Sequence, residues 1–308
     1  NIPCPDLFLA QALGRTKKIV LGTGVSCLPN HQPVMLAHRI AQLDQMARGR
    51  FLWGIGAGGF VGDFELFDVD NEHGEGRRLT RDVLDEVLAL WSEPTPEAHR
   101  HERWRYRVPE PKPAIGLRLH MRPYQKPHPP IAVAGVSQKS ETLAMAGQRG
   151  FIPMSINFVP AGVLRTHWQT YADAARQAGY TPDRSVWRVC RDVYIGETSE
   201  QARHDALAGV LARDWTDYFI PLLGATRGLG GVKLDPAMPD EAVTPEYLLE
   251  NIWIVGDVDE VTRKLRQLYD DVGGFGTLLA IGHEWTPRDK WERSMKLLIQ
   301  EVMPRLGE

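Results

Sequence analysis

The chain has 308 residues, of which 43% are hydrophobic and 24% are charged, as in an ordinary globular protein. Lysine and arginine number 36 against 39 aspartate and glutamate residues, which gives a formal net charge of −3. These values exclude a disordered or fibrous chain, and they argue against a nucleic-acid partner, which would require a basic face. The three cysteines have no C-x-x-C spacing, so we expect no disulfide framework and a cytoplasmic location. No apolar run approaches the roughly 18 residues of a membrane span, so no membrane partner is expected.

Strand-like apolar runs alternate with helical patterns along the chain. Six buried strands are predicted to begin near residues 18, 51, 131, 151, 187 and 276. Helices are predicted over residues 6–14, 32–48, 77–92, 139–149, 161–178 and 198–213, from residue 257 onward, and over 287–304. This alternation is typical of βα units that share a parallel sheet, so the sequence predicts an α/β fold.

Two segments interrupt the alternation. Residues 93–129 and 214–250 lack a long periodic pattern, so both are predicted to be loop insertions. Their apolar positions would suit either a substrate lid or packing against a partner subunit. No linker or shift in charge divides the chain, and a single domain over residues 1–308 is therefore expected.

Six βα units are too few to close a (β/α)8 barrel, although a doubly wound sheet can stop at six strands. At roughly 30 residues a unit, a barrel would lack about 60 residues at its front. The chain opens on Asn1 and has no initiator methionine. We therefore expect an N-terminally truncated chain whose first two βα units are missing.

A glycine-rich run follows the second predicted strand. Residues 54–59 (GIGAGG) satisfy the dinucleotide fingerprint G-x-G-x-x-G. That fingerprint requires a helix that begins within it, and the next predicted helix begins only near residue 77, so a Rossmann site is disfavoured. The run is then either a strand end whose bare backbone lets a flat ligand approach, or a flexible loop.

A hydroxyl-rich run opens a later helix. Residues 135–142 (GVSQKSET) follow a strand, and the free N–H groups and hydroxyls at a helix N-terminus can bind an anion such as a phosphate. An ordinary serine N-cap would leave the same pattern. Asn157 follows the next strand and is either another polar group at that level or a turn residue.

Other catalytic patterns are not found. The histidines have no carboxylate partner at metal-ligand spacing, so no metal site is predicted. No G-x-S-x-G run is present, and a hydrolase nucleophile elbow is therefore unsupported.

The order of these motifs resembles the bacterial luciferase-like flavin monooxygenases, and within them the limonene or alkanal monooxygenases. The resemblance is carried by residues 19–25 (IVLGTGV), 36–46 (LAHRIAQLDQM), 49–51 (GRF), 132–137 (AVAGVS) and 256–261 (GDVDEV). It implies a (β/α)8 barrel that binds reduced FMN at the C-terminal ends of its strands, with a separate flavin reductase as partner. It also implies oxygenation of a small hydrophobic aldehyde, ketone or terpene, and a homodimer.

The resemblance further implies which residues bind the cofactor. One segment would lie beneath the flavin ring, where a cis peptide often occurs; a second would lie beside the ring, a third would form the phosphate loop, and an asparagine would lie near the ring edge. These residues are Thr23, Gly24, Val25, Gly56, Ala57, Gly58, Gly135, Val136, Ser137, Ser140 and Asn157. Family members often carry an arginine near the phosphate where this chain has Ala57. Asp44 and Arg50 match a recurring pair that we interpret as structural.

The family's catalytic histidine would precede Asn1, so no catalytic residue is assigned within the chain. Two alternatives remain open. One is a deazaflavin-dependent oxidoreductase of the same fold, which transfers hydride without oxygen. The other is a non-catalytic flavin-binding relative.

Overall fold

A computed structural model describes residues 4–70, 72–92, 94–119, 122–283 and 286–307. The expected site of the catalytic histidine, ahead of Asn1, lies outside the described residues. The chain divides into two units, Asn1–Val133 and Ala134–Glu308. Among the described residues, no helix combines the length and apolar character needed to cross a bilayer.

The first unit is built around one central strand. Its helices are α1 (Pro5–Arg15), α2 (Pro33–Ala47), α3 (Val61–Leu66) and α4 (Glu75–Trp91). Its strands are β1 (Leu21–Gly22), β2 (Ser26–Cys27), β3 (Phe51–Gly56), β4 (Ala98–Arg100), β5 (Arg105–Arg107) and the first part of β6 (Ile131–Gly135). Strands β1, β2 and β6 all pair with β3 in parallel, whereas β4 and β5 form an antiparallel hairpin within the first predicted insertion.

Aromatic and aliphatic side chains of β3, α2 and α4 form the core of this unit. Trp53 and Trp91 meet edge to face with ring centroids 5.3 Å apart, and the Trp91 indole N–H donates to the Ala37 carbonyl at 3.1 Å. Asp44 is fully buried and accepts hydrogen bonds from the backbone N–H and side-chain amide of Gln125, at 2.8 and 2.6 Å. Its role in this structure is to fix a loop, since a buried carboxylate must be hydrogen-bonded.

The second unit contains the remaining βα units. Its strands are β7 (Ile152–Ser155), β8 (Arg188–Arg191), β9 (Val193–Ile195), β10 (Ile254–Gly256) and β11 (Thr277–Ala280). Its helices are α5 (Glu141–Gln148), α6 (Ala161–Gln177), α7 (Ser199–Ala208), α8 (Val210–Asp214), α9 (Ile220–Ala225), α10 (Pro245–Asn251), α11 (Val258–Val272), α12 (Arg288–Leu297) and α13 (Met303–Leu306). Strand β8 pairs in parallel with β7 and β11, and β9 pairs in parallel with β10.

Local sequence explains where several of these helices begin and end. Asp257 caps α11 by accepting the Glu260 N–H at 2.9 Å, and Gly273, with φ at 74°, ends it. Helices α5 and α6 approach closely because residue 147 is a glycine. A Cβ at Gly147 would lie 2.3 Å from the Tyr171 carbonyl oxygen.

All six predicted strands are present, and the α/β alternation is confirmed. The predicted strand over residues 187–195 is instead two strands, because Asp192 separates β8 from β9 and the two pair with different neighbours. The predicted helix over 198–213 divides at Gly209 into α7 and α8. The second insertion, residues 214–250, contains α9, α10 and a π-helical turn at Trp215–Phe219, so it is more regular than its composition predicts.

Candidate active site

Six of the predicted cofactor residues meet at one strand end in the first unit. Thr23, Gly24 and Val25 form the link between β1 and β2, and the Gly24–Val25 peptide bond is cis, as the resemblance implies. The buried Thr23 hydroxyl donates to the Gly54 carbonyl at 2.7 Å. This bond ties the link to the end of β3, from which Gly56, Ala57 and Gly58 continue toward solvent.

Close packing explains the first two glycines of the G-x-G-x-x-G run. A Cβ at Gly54 would lie 1.9 Å from the Thr23 carbonyl oxygen, and one at Gly56 would lie 2.9 Å from a methyl group of Val25. Gly58 has φ at 87°, a backbone conformation that other residues rarely adopt. Gly54 and Gly56 therefore allow β3 to pack against residues 23–25, which accounts for these two glycines without a dinucleotide.

The helix that follows this run begins earlier than predicted. It begins at Val61 and not near residue 77, because α3 precedes α4, so the predicted start was wrong. Helix α3 has only six residues and is held by the buried side chain of Phe64 and by a hydrogen bond from Asn30 to Asp63 at 3.3 Å. A helix of six residues is too short for its apolar residues to show a helical period in the sequence.

The hydroxyl-rich run forms a loop at the start of α5 in the second unit. Gly135 ends β6 and accepts a hydrogen bond from the Ile156 N–H at 3.2 Å, which brings the end of β7, and Asn157 after it, beside the loop. Val136 and Ser137 are exposed. A Cβ at Gly135 would lie 2.4 Å from Leu143, so this glycine lets α5 pack against the strand end.

Ser140 acts as the N-cap of α5. Its hydroxyl oxygen accepts the Leu143 N–H at 3.3 Å and lies 2.9 Å from the Thr142 hydroxyl. Thr142 donates its own hydrogen to the Ala134 carbonyl at 2.7 Å, so the Ser140 hydroxyl donates to Thr142. Ser140 is only 2% exposed, and its side chain is engaged within the loop, whereas Ser137 is open to solvent.

Asn157 belongs to a buried polar network that the sequence analysis did not foresee. Its amide donates to Asp192 at 2.7 Å, and its carbonyl accepts from the Arg191 guanidinium at 3.0 Å. The other Asp192 oxygen lies 2.8 Å from Nε2 of His283, whose Nδ1 lies 3.0 Å from Asp214. The network therefore joins the ends of β7, β8 and β11 to the last residue of α8, where the second insertion begins.

Two basic groups neutralise this network. Burial lowers the pKa of Arg191 to about 10, and the adjacent Asp192 opposes that shift, so the guanidinium stays cationic at neutral pH. Burial also disfavours the cationic form of His283, but hydrogen bonds and charge from Asp192 and Asp214 outweigh it and raise the pKa of His283. Both of its ring nitrogens are bonded to carboxylates, which favours an imidazolium at this position.

The raised pKa of His283 predicts a pH-dependent contribution to stability. Since the folded pKa lies above the unfolded value of about 6.5, the contribution is complete below about pH 6.5 and is lost as the pH rises through the folded pKa. The loss in free energy of unfolding caused by His283→Gln should therefore be larger near pH 6 than near pH 9. Urea denaturation of both proteins across this range measures it, with Asp217→Ala, at an exposed position, as control. A loss that does not change with pH would contradict the assignment.

Weak sequence signals marked the members of this network. Arg191 and Asp192 interrupt the apolar run 187–195, and a charged pair inside a buried strand requires partners. His283 follows the last strand, but its partners lie 91 and 69 residues away, so local spacing could not reveal them. Within the described residues, no group of three or more histidine, cysteine, aspartate or glutamate side chains could hold a metal ion.

The chain is similar to known proteins along nearly its whole length. The profile of the luciferase-like monooxygenases matches residues 3–274. The chain belongs to this family. It is 31% identical to 3,6-diketocamphane 1,6-monooxygenase of Pseudomonas putida, over 99% of this chain and 85% of that protein. It is 29% identical to limonene 1,2-monooxygenase of Rhodococcus erythropolis, over 99% of this chain and 74% of that protein.

A solved structure gives the same result. The oxygenating constituent of 3,6-diketocamphane monooxygenase from Pseudomonas putida, a type II Baeyer-Villiger monooxygenase in complex with FMN, matches with a TM-score of 0.89 and 31% identity. The match covers 99% of this chain and 85% of that one. Like its homologues, this luciferase-like family member is therefore a flavin-dependent monooxygenase and an oxidoreductase.

Proposed function

We propose that the chain uses FMN, reduced by a separate flavin reductase, and molecular oxygen to oxygenate a small hydrophobic ketone of the terpene class. The observation that carries this proposal is the similarity, along nearly the whole chain, to the FMN-bound oxygenating constituent of 3,6-diketocamphane monooxygenase. An oxygenating constituent requires a second component that supplies electrons. We therefore propose that this chain, too, works with a separate flavin reductase.

The residues at the two loops fit a flavin. Beyond the end of β3, Ala57 is half-buried and Gly58 and Gly59 are exposed, and their small or absent side chains suit the close approach of a flat ring. Residues 136–139 are exposed and precede a helix, which suits a phosphate. We propose that Thr23, Gly24, Val25, Gly56, Ala57 and Gly58 contact the ring, that Gly135, Val136, Ser137 and Ser140 surround the phosphate, and that Asn157 lies at the ring edge.

Held by these residues, reduced FMN would supply the two electrons that allow one atom of O2 to enter the substrate while the other leaves as water. The residues of this chain bind and orient the reactants and exclude water. In the second unit, Trp215 of the insertion packs edge to face on Phe158, with centroids 6.0 Å apart, directly after Asn157. Both rings are buried, so this pair anchors the start of the second insertion next to Asn157.

The remaining expectations stand as parts of the same proposal. We propose that residues 1–308 belong to a single luciferase-like barrel domain with insertions at about 93–129 and 214–250, which acts as a homodimer in the cytoplasm. A deazaflavin-dependent hydride transfer on this fold would be recognised by tighter binding of the deazaflavin than of FMN.

Removal of two loop hydroxyls tests the phosphate site. The double variant Ser137→Ala/Ser140→Ala should weaken FMN binding by about 1–3 kcal/mol, because the exposed Ser137 hydroxyl is lost and the loop loses the N-cap hydrogen bond of Ser140. Fluorescence titration with FMN measures the affinity, and the matched variant Ser92→Ala, on an exposed helix end of the first unit, should leave it unchanged. Unchanged FMN affinity in the double variant would remove this loop from the cofactor site.

A further inference from the structure

His167 occupies a position where helix α6 otherwise buries apolar side chains. It is 0% exposed, and the same face of the helix carries Leu164, Trp168 and Tyr171. An imidazole in such surroundings is destabilising unless its polar atoms are hydrogen-bonded. Both ring nitrogens of His167 are bonded, and one of their partners lies in the hydroxyl-rich loop.

Three hydrogen bonds define the surroundings of this ring. Nε2 of His167 lies 2.9 Å from the carbonyl oxygen of Ser137, and Nδ1 lies 3.1 Å from the hydroxyl oxygen of Ser155. The indole N–H of Trp187 donates to that same Ser155 oxygen at 3.0 Å. Residues from the segment before β8, from β7 and from α6 thus form one chain of hydrogen bonds, which ends at the Ser137 carbonyl.

The direction of these hydrogen bonds follows from their chemistry. A carbonyl only accepts, so Nε2 of His167 carries a hydrogen. Burial lowers the pKa of His167 to about 4, although the bond to Ser137 opposes the shift, so the ring is neutral at pH 7. Nδ1 therefore accepts from the Ser155 hydroxyl, which in turn accepts from Trp187. Every donor points toward the Ser137 carbonyl.

The hydroxyl of Thr166, the residue before His167, donates to the next carbonyl of the loop, that of Gln138. Oγ1 of Thr166 lies 2.9 Å from the Gln138 carbonyl and 2.7 Å from the Val163 carbonyl, and it shares its single hydrogen between them. Two consecutive loop carbonyls are thus directed toward α6. Because the C=O and N–H of a trans peptide point in opposite directions, the N–H groups of Gln138 and Lys139 turn away from α6.

These two N–H groups are suited to an anion. Gln138 and Lys139 are exposed, and in the part of the chain that the structure describes neither N–H donates to a backbone carbonyl. Successive free N–H groups next to a helix N-terminus attract a phosphate, whereas a carbonyl turned the same way would repel it. The orientation of the peptide between Ser137 and Gln138 therefore decides whether a phosphate would meet an N–H group or a carbonyl oxygen.

We propose that His167 is a positioning residue for the phosphate group of the flavin cofactor, which it serves by holding the Ser137 carbonyl against α6. The inference rests on the proposed FMN function. His167 itself would touch neither the cofactor nor the substrate. Through the Ser137 peptide it would control the preference of the protein for a phosphorylated over an unphosphorylated flavin.

Comparison of FMN with riboflavin isolates this role, because the two ligands differ only in the phosphate. The probes are oxidised FMN and riboflavin, titrated by fluorescence. His167→Phe keeps an aromatic ring but removes the donor, and it should weaken FMN binding about tenfold while riboflavin affinity changes less than about twofold. His167→Gln, whose amide can still reach the Ser137 carbonyl, should recover most of the FMN affinity. His204→Gln, on an exposed side chain of α7, is the control.

Each outcome separates the inference from the function on which it rests. Equal losses for FMN and riboflavin in His167→Phe would show a general structural role and overturn the inference. A wild-type protein that binds both flavins equally would overturn the phosphate site itself. If Ser137→Ala/Ser140→Ala abolishes the preference and His167→Phe retains it, only the inference fails. Should His167→Phe not fold, His167→Asn replaces it, since its shorter amide does not reach Ser137 and should lose the preference that His167→Gln keeps.

Discussion

Gly54→Ala should lower the free energy of unfolding by about 3 kcal/mol or more, at the upper end of overpacking effects. The added methyl group would lie 1.9 Å from the Thr23 carbonyl oxygen, which is backbone and cannot rotate away. Strand β3 would have to separate from residues 23–25, and the 2.7 Å hydrogen bond from Thr23 to Gly54 would break with it. Chemical denaturation gives the free energy, and flavin titration shows whether the neighbouring strand end still binds.

Gly59→Ala is the matched control in the same glycine-rich run. A Cβ at Gly59 meets nothing within 4 Å, so stability should change by less than about 0.5 kcal/mol. Equal effects of the two substitutions would contradict the packing explanation of the run and would favour a flexible loop.

Asp192→Ala should have a comparable effect, with a loss of about 3–5 kcal/mol in the free energy of unfolding. Asp192 is 0% exposed and accepts from both His283 and Asn157. Its removal leaves an amide and an imidazolium without this carboxylate in a buried site, and such groups retain their full desolvation cost. Thermal and urea denaturation measure the change.

Two further variants define what Asp192 contributes. Asp192→Asn keeps a hydrogen-bond acceptor of the same shape but loses the charge, so it should destabilise the protein less than Asp192→Ala. It should also reduce the pH dependence that His283 confers, because one of the two carboxylates that raise the pKa of His283 is gone. Asp217→Ala, at an exposed position, should have an effect within about 0.5 kcal/mol. An Asp192→Ala protein as stable as wild type would contradict the network.

The elements that were predicted well are those with strong local patterns. Strand β3 and helix α4 have long apolar periods, and α11 begins at a capping aspartate and ends at a glycine, so their existence follows from neighbouring residues. The short elements α3 and β10 were missed, and β9 was merged with β8, because three to six residues are too few to show a period of their own. Their positions depend on tertiary pairing.

The candidate site was predictable only in part for a related reason. The order of Thr23, Gly56 and Ser137 along the chain is visible in the sequence, because each follows a predicted strand. The partners of His167 and His283 are not, because buried polar networks join residues that lie far apart in the chain. Nothing local distinguishes His167 from an ordinary residue of α6 except that a histidine interrupts an apolar stripe.

Transfer of an oxygen atom with reduced FMN can be measured directly. The protein is mixed with FMNH2 and isotopically labelled oxygen in the presence of a bicyclic terpene ketone, and the product is analysed by mass spectrometry. We expect one labelled oxygen atom in the product, dependent on both FMNH2 and the protein. Tight FMNH2 binding without any labelled product would contradict it and would leave a flavin-binding protein that does not oxygenate.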